Sequence, residues 1–581
     1  MTSASGVGTD RPRRSRRWTA GTDETAMSHR VALRIGPAGQ DQPVIGIADT
    51  SSALNPCHDG FAALLPHIER GIRDAGGIPA RFPVMSLGED LMKPSAMLYR
   101  NLVAMEIEET IRANPLDGVV LLANCDKSVP AAIMAAASAN LPSVLVLGGA
   151  RAAPEFRGRP LGSGTELWRA LEDRRAGLLD DDHWARLERC LAGAGAGACN
   201  TMGTASTMAV IAEALGMCIP GSTGLPASGT DIEQIAYQAG RLVVRHVVDD
   251  VRPAALITQA AMDNAIRLVA AIGGSTNAPV HLAAIAGRLG LEAGLRRMDT
   301  LWRDVPMVVD VEPGGTRLIH DFRAAGGVAG LFRVLGSSLE PDVRAADGQP
   351  WSNHAAEIRV DEQVIRSPAE PVAPAPALAA VFGTLAPDGA VIKAAAASPE
   401  LMAHSGPALV FDSYEVMRDR LDRDDLPVSA DHVLVIRGAG PIGGPGMPEW
   451  GMAPIPRQLA EQGVRDMLRV SDARMSGTSF GTVVLHVAPE SAAGGPLGLV
   501  RDGDRISFDL AQRRLDLDVP ADELARRTPA APPAAATAHR RGWPRLYREH
   551  VLQAPDGCDL DFLVAPGPGP EPFVEPVVGR S

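Results

Sequence analysis

The chain has 581 residues, too many for a single hydrophobic core, so two or more domains are expected. With 45% apolar and 22% charged residues it reads as a soluble globular protein, and its net charge of −13 argues against a nucleic-acid partner. No apolar run reaches the length of a membrane span, and six cysteines are too few for a disulfide framework in so long a chain, which fits a reducing, cytoplasmic setting with free thiols.

Residues 1–40 include the basic run Arg11-Pro12-Arg13-Arg14-Ser15-Arg16-Arg17 with no apolar segment after it. This is not a secretory signal and reads as a disordered leader, with Met27 an alternative start. Pro43 to Ala48 reads as a strand that runs into Asn55-Pro56-Cys57-His58, where the Asn-Pro turn signal puts Cys57 on a loop. A helix with Phe61, Leu64, Leu65 and Ile68 on its apolar face follows. A strand over Ala80–Val84 ends in Ser86-Leu87-Gly88-Glu89-Asp90, and a helix spans about Met97 to Arg112.

The apolar run Gly118–Ala123 reads as a buried parallel strand ending in Asn124-Cys125-Asp126-Lys127-Ser128-Val129-Pro130, before a small-residue helix, Ala131–Ala139. A thiol, a carboxylate and an amine thus leave the carboxyl end of one strand, where open α/β sheets bind ligands. Thiolate suits iron or zinc and carboxylate suits magnesium, so the trio suggests two metals sharing one site. The alternative is a buried inert cysteine beside a solvated Asp-Lys pair. Another buried strand covers Ser143–Gly149, and the strand–helix alternation predicts a doubly wound, mostly parallel α/β domain over residues 41–367.

Residues 151–189 are polar with mixed charge and read as a surface excursion. In Gly193-Ala194-Gly195-Ala196-Gly197-Ala198-Cys199 the small residues permit close backbone approach, and a helix start after Cys199 is expected to lower its thiol pKa. Cys190 and Cys218 read as buried apolar residues. Gly273-Gly274-Ser275-Thr276-Asn277 opens a helix; such a turn suits a carboxylate, which makes Ser275, Thr276 and Asn277 candidate substrate contacts, or it is a simple N-cap. Residues 368–378 are Pro/Ala-rich and read as a linker. From 379 to 565 the texture is that of a β-rich, barrel-like domain: strands at His432–Ile436 and Thr482–Val487, and a hairpin in which Ile506, Phe508 and Leu510 alternate against Leu515, Leu517 and Val519. Thr528–Thr537 is a second Pro/Ala linker, Tyr547–Leu563 an ordered patch, and 566–581 a disordered tail.

Read together, these segments resemble the dihydroxy-acid and sugar-acid dehydratase family. The likeness rests on Asn55-Pro56-Cys57, Cys125-Asp126-Lys127, the stretch around Cys199, Gly273–Asn277, Pro445-Gly446-Met447-Pro448-Glu449-Trp450-Gly451-Met452 and Ser471-Asp472-Ala473-Arg474-Met475-Ser476-Gly477-Thr478, and it runs in order from Pro43 to Leu563. Met85–Glu89, Ser471–Thr478 and Val483–Glu490 look like the sugar-acid branch, which includes L-arabinonate and D-xylonate dehydratases. Ser128-Val129-Pro130, Ala198-Cys199-Asn200-Thr201 and His58-Asp59-Gly60 depart from the usual pattern, and they bear on the substrate rather than the chemistry.

The resemblance implies a hydro-lyase that dehydrates an aldonate to a 2-keto-3-deoxy acid; dihydroxy-acid dehydratase of branched-chain amino acid biosynthesis is the alternative. It implies that Cys57, Cys125 and Cys199 hold an iron–sulfur cluster with one iron left open, [2Fe–2S] in this branch or else [4Fe–4S]. Glu89, Asp126 and Glu449 offer the hard oxygens that Mg²⁺ takes, and the family implies a carbamoylated Lys127 as a further ligand. Ser476 would be the base, or else only a turn residue before Gly477, and Thr478 is placed to hydrogen-bond substrate or base. With Ser476 and Glu449 in the second domain and the cysteines in the first, the site is expected in an interdomain cleft. A homodimer or homotetramer is implied, and a non-enzymatic iron–sulfur protein would leave Glu89, Glu449 and the Ser476 loop unexplained.

Overall fold

The structure is a computed structural model that describes residues 13–175, 177–572 and 574–578, and it is organised around two sheets. The first has four parallel strands, β1 (Val44–Asp49), β2 (Ile78–Pro83), β3 (Gly118–Leu122) and β4 (Ser143–Val146), in the order β2-β1-β3-β4. Side chains alternate across a strand, so each apolar run serves two cores. Ile45, Ile47, Val120, Leu122, Val144 and Val146 pack with the helices Phe61–Asp74 and Thr230–Asp249. Val44, Ala48, Val119, Leu121 and Leu145 pack with the helices Met97–Ala113 and Ser128–Ala139. The first helix pair meets backbone to backbone: a Cβ on Gly71 would lie 2.0 Å from the Tyr237 carbonyl oxygen, and one on Gly240 2.3 Å from that of Ile68. This is the doubly wound domain expected from the sequence.

The second sheet has eight strands: β5 (Ala379–Val381), β6 (Gly389–Ile392), β7 (Ala403–Phe411), β8 (Val433–Ile436), β9 (Arg469–Ser471), β10 (Val483–Ala488), β11 (Arg505–Asp509) and β12 (Arg514–Leu517). Their order is β12-β11-β7-β8-β9-β10-β6-β5. The central four run parallel and the outer pairs antiparallel. A bridge from Phe382 to Arg514 brings the two ends together, so the sheet nearly closes into a barrel. The hairpin read from the sequence is β11–β12, with Ile506 opposite Leu517 and Phe508 opposite Leu515.

Some expectations change. Residues 13–40 are not a disordered leader: they form the helices Arg14–Thr19 and Glu24–Ala32 and a short 3₁₀ turn, Pro37–Asp41. The charge that suggested solvation is used in contacts, since Arg14 donates to the carbonyls of Ile111 and Leu116, and Ser15 N–H donates to Asp117. Residues 1–12 of that expected leader lie outside the described residues. The expected linker at 368–378 is pinned, with Met307 N–H donating to Ala373 O at 3.0 Å and Val372 N–H to Met307 O at 2.8 Å. The tail after 566 has no helix or strand in its described residues, yet it is held: Gly569 N–H donates to Leu289 O, and Glu575 pairs with Arg14 at 2.8 Å. Cys218 is buried as expected, but Cys190 is only half-buried. The excursion at 151–189 carries two helices, Thr165–Arg175 and Asp181–Ala192, and the first of them faces the site described next.

Candidate active site

Since β2, β1 and β3 are adjacent and parallel, the loops at their carboxyl ends open on one edge, and these loops carry Glu89, Cys57 and Cys125. The chain leaving β4 reaches Ala150, which bridges to Ala198 and so brings Cys199 to the same place. Asn124 ties three of these loops: its Nδ2 donates to Cys57 O at 2.9 Å and Gly149 O at 2.8 Å, and its Oδ1 accepts from Gly148 N–H at 3.0 Å. His58 lies behind them, its Nδ1 3.2 Å from Thr50 O and its Nε2 2.9 Å from Ser128 Oγ. Burial pushes His58 down to about 4, so the ring is neutral near pH 7.

The three thiols are neighbours. Cys125 is raised chiefly by its hydrogen bond with Cys57, then by burial. Burial pushes Cys199 up to about 12, against the pull of the Arg151 guanidinium. The helix start does not lower this thiol as expected, because the helix begins only at Thr204 and burial outweighs the pull of Arg151. Arg151 also faces Cys57.

Beside the thiols, Lys127 is fully buried and three carboxylates converge on it. Its Nζ pairs with Asp126 and lies 3.5 Å from Glu449 and 3.6 Å from Glu89. Burial and Arg474 press the amine's pKa down, and the carboxylates more than offset them. Burial raises Asp126, but Lys127 and Arg474 hold it below the usual range; Glu449 stays raised, burial winning over the same two cations. Arg474 was not singled out from the sequence. It bonds Glu449 at 2.6 Å and Ser95 Oγ at 3.0 Å, and Ser95 in turn donates to Glu89. One Glu89 carboxylate oxygen is buried without a hydrogen bond. Among the described residues, no three His, Cys, Asp or Glu side chains close on a common point tightly enough to hold an ion as they stand, since the Lys127 amine occupies the place the carboxylates face.

The second domain supplies the other wall. A two-strand ladder sets Glu449 opposite Arg474 and Trp450 opposite Met475, and Ser476 N–H then donates to Trp450 O at 2.8 Å. Ser476 Oγ lies 2.9 Å from Thr478 Oγ1, which accepts from Trp168 Nε1–H at 2.9 Å. Gly477 admits no side chain, because a Cβ there would lie 2.6 Å from Ser275 Oγ. Of the candidate substrate contacts, Ser275 is bound to Thr204 at 2.8 Å, and Asn277 donates to Glu449 at 3.0 Å and to Met475 O at 3.3 Å. Ser275 is thus spent inside the protein, Asn277 keeps a buried Oδ1 without a hydrogen bond, and Thr276 lines a cavity with Ser476. His281, on the helix that this turn opens, has its Nδ1 3.0 Å from the Arg100 guanidinium; that nitrogen is an acceptor already in use.

The description "Dihydroxy-acid/6-phosphogluconate dehydratase N-terminal" matches residues 42–354, and its C-terminal counterpart matches residues 363–558. The chain belongs to this dehydratase family. It is a hydro-lyase. A 6-deoxy-6-sulfo-D-gluconate dehydratase of Pseudomonas putida is 44% identical over 96% of this chain and 98% of its own. An L-arabonate dehydratase of Azospirillum brasilense is 44% identical over 95% and 97%. A dihydroxy-acid dehydratase of Moorella thermoacetica stands further off, 36% identical over 90% and 95%. The chain thus sides with the sugar-acid branch.

Trp168 and Lys393 also went unread in the sequence. Trp168 was hidden in a segment taken for surface, and Lys393 follows the apolar strand β6 with no neighbouring polar motif. Arg474 stands two residues before Ser476 in the chain, on the two-residue strand Arg474–Met475.

Proposed function

We propose that the chain removes water from an aldonate, taking the C2 proton and the C3 hydroxyl to give a 2-keto-3-deoxy acid. The relatives named for sugar acids support the substrate class. The observation that carries the chemistry is the Glu449–Trp450/Arg474–Met475 ladder, which places the Ser476 hydroxyl one step beyond a buried carboxylate–cation cluster.

The residues fit the two inorganic groups the family implies. Glu89, Asp126 and Glu449 already surround a cation, Lys127, and the Glu89 oxygen facing that amine at 3.6 Å makes no hydrogen bond, so Mg²⁺ suits this oxygen set. Carbamoylation of Lys127 would replace the central positive charge by another oxygen donor. The neighbouring thiols of Cys57, Cys125 and Cys199 suit an iron–sulfur cluster, [2Fe–2S] or [4Fe–4S], with one position left for substrate. When bound, these groups supply the positive charge and Lewis acidity that a weakly acidic C2–H and a poor leaving hydroxide require.

The chain supplies the proton transfer. Trp168 N–H donates to Thr478 Oγ1, which leaves the Thr478 hydroxyl proton free to point at Ser476 Oγ. Ser476 then presents a lone pair, and its oxygen, once ionised, receives the C2 proton. Arg474 fixes Glu449 and, through Ser95, Glu89, so that the carboxylates are held before substrate arrives.

The test is 2-keto acid formation from a panel of pentonates, hexonates, 6-sulfonated gluconate and 2,3-dihydroxyisovalerate. Turnover of an aldonate well above that of dihydroxyisovalerate is expected; turnover of dihydroxyisovalerate alone would overturn the reading. The protein is further proposed to be a cytoplasmic homodimer or homotetramer, with its mass in solution, measured by light scattering, as the check. Among the described residues no helix is long and apolar enough to cross a membrane.

A further inference from the structure

Strand β6 is followed directly by Lys393, which turns inward and is 8% exposed. A buried ammonium is costly unless an anion or a full set of hydrogen bonds meets it. Lys393 has neither. Its Nζ makes one long bond, 3.4 Å to the carbonyl oxygen of Gly477, and among the described residues no carboxylate pairs with it. Lys127, equally enclosed, faces three. Burial alone pushes the Lys393 amine down to about 8, which leaves it mostly protonated near pH 7.

Lys393 lines one cavity with Ser476, Thr276, Ser479 and Phe480. The remaining lining residues are Gly, Ala, Val, Leu and Met, so no ionisable side chain in that cavity answers the lysine. The carbonyl it reaches belongs to Gly477, next in the chain to Ser476, on a loop already held by Trp450 and closed against Ser275.

We infer that Lys393 is a positioning residue for the base: its ammonium favours the ionised Ser476 oxygen across their shared cavity and holds the loop through the Gly477 carbonyl. This rests on the reading of Ser476 as the base. Ser476 first gives its hydroxyl proton to solvent, and the C2 proton of the substrate later restores it, so the balance needs no further reactant. A cation placed beside an acid lowers its pKa by about 1–3 units.

The experiment uses full-length enzyme with Lys393→Met, Lys393→Arg and Ser476→Ala. It measures kcat and KM against pH, with thermal melting and iron and magnesium content alongside. In Lys393→Met the acid limb of kcat should move up by about 1–3 units with KM unchanged, and turnover at neutral pH should fall about tenfold per unit. Melting should hold or rise, because an unpaired buried charge has gone. Lys393→Arg keeps the charge and should bring the limb back toward wild type. A wild-type profile in Lys393→Met overturns the inference. A rise in KM alone also does, by making Lys393 a substrate anchor. So does loss of turnover at every pH that arginine fails to restore, which is the mark of a strut. If Ser476→Ala turns over normally, the base assignment has failed and this inference falls with it. If Ser476→Ala is inactive while Lys393→Met is normal, the lysine inference alone is lost.

Discussion

Two buried charge clusters lie within this fold, and they are built to opposite rules. In one, Arg288 holds Asp559 with two bonds, 2.6 and 2.9 Å, and also reaches Ser138 at 2.9 Å and Glu108 at 3.5 Å, both partners of the main pair being wholly enclosed. Arg112 completes it on Glu108 at 2.8 Å, so two cations meet two carboxylates. In the other, Lys127 and Arg474 face Glu89, Asp126 and Glu449, with one Glu89 oxygen unbonded and two of the Lys127 contacts at 3.5 and 3.6 Å. The balanced cluster ties the C-terminal segment to the first domain through paired charges. The unbalanced one is a surplus of carboxylate around a buried amine, a donor set that suits a cation. A polar cluster that satisfies itself is structure, and one that does not is a place for chemistry.

The widest separation should come from Ser476→Ala. It deletes one oxygen, so folding and metal content should survive while turnover falls by a factor of about 10²–10⁴. The fall should be in kcat rather than KM. A well-metallated variant with near wild-type turnover would move the base elsewhere.

The balanced cluster should answer in stability instead. Asp559→Asn leaves Arg288 enclosed and half-paired, at a cost of about 3–5 kcal/mol read as a lower denaturation midpoint, with kcat of the surviving folded enzyme unchanged. Glu449→Gln should do the reverse, abolishing turnover with a smaller loss of stability, because Lys127 and Arg474 still face two carboxylates, Asp126 and Glu89. If both variants behave alike, the contrast between the clusters is wrong.

A third arrangement sharpens the rule, since among the described residues it holds carboxyls with no paired cation. Glu490 accepts from Ile442 N–H at 2.7 Å and Gly443 N–H at 2.8 Å, near Asp472, which is itself bonded to Ser491. Burial pushes Glu490 up to about 7 from 4.5, with Asp472 adding to the rise. The folded state therefore binds this proton more tightly than the unfolded chain. Its contribution to stability is present below about pH 4.5 and is lost as pH rises through about 7, on the order of 3 kcal/mol in all. Chemical denaturation of wild type and Glu490→Gln across that interval should show the slope in the first and its reduction in the second.

The comparison also marks what sequence alone could yield. Strands buried on both faces are continuous apolar runs, so β1, β3 and β4 were legible, and with them the loops bearing Cys57 and Cys125. Asp126, Lys127 and Glu449 came together as expected because the motif places them at a strand end and on a ladder. The balanced cluster was illegible: Arg288, Asp559 and Glu108 sit far apart in the chain, and single charged residues carry no periodicity. Residues 13–40 were misread because arginines that bind carbonyls look, in one dimension, like arginines in water. Ser275 and Asn277 were read as ligand contacts from a helix start; only the fold shows Thr204 and Glu449 within their reach.

The smallest expected effect concerns Trp168, the residue that joins the misread excursion to the Ser476 loop. Its indole packs so close to Gly451 that a Cβ there would lie 2.2 Å from the ring, and its N–H is spent on Thr478 Oγ1. Trp168→Phe keeps most of the ring and deletes that donor. The Thr478 hydroxyl can then rotate away from Ser476, so the loss should equal about one hydrogen bond, roughly 1 kcal/mol or about fivefold in kcat. Thr478→Val removes the hydroxyl that points at Ser476 and should cost more. Since Trp168 is argued to act only through Thr478, the double variant should be no worse than Thr478→Val alone, a coupling that distant, independent sites do not show. Additive losses would mean that Trp168 matters through packing on Gly451 and not through the proton it aligns.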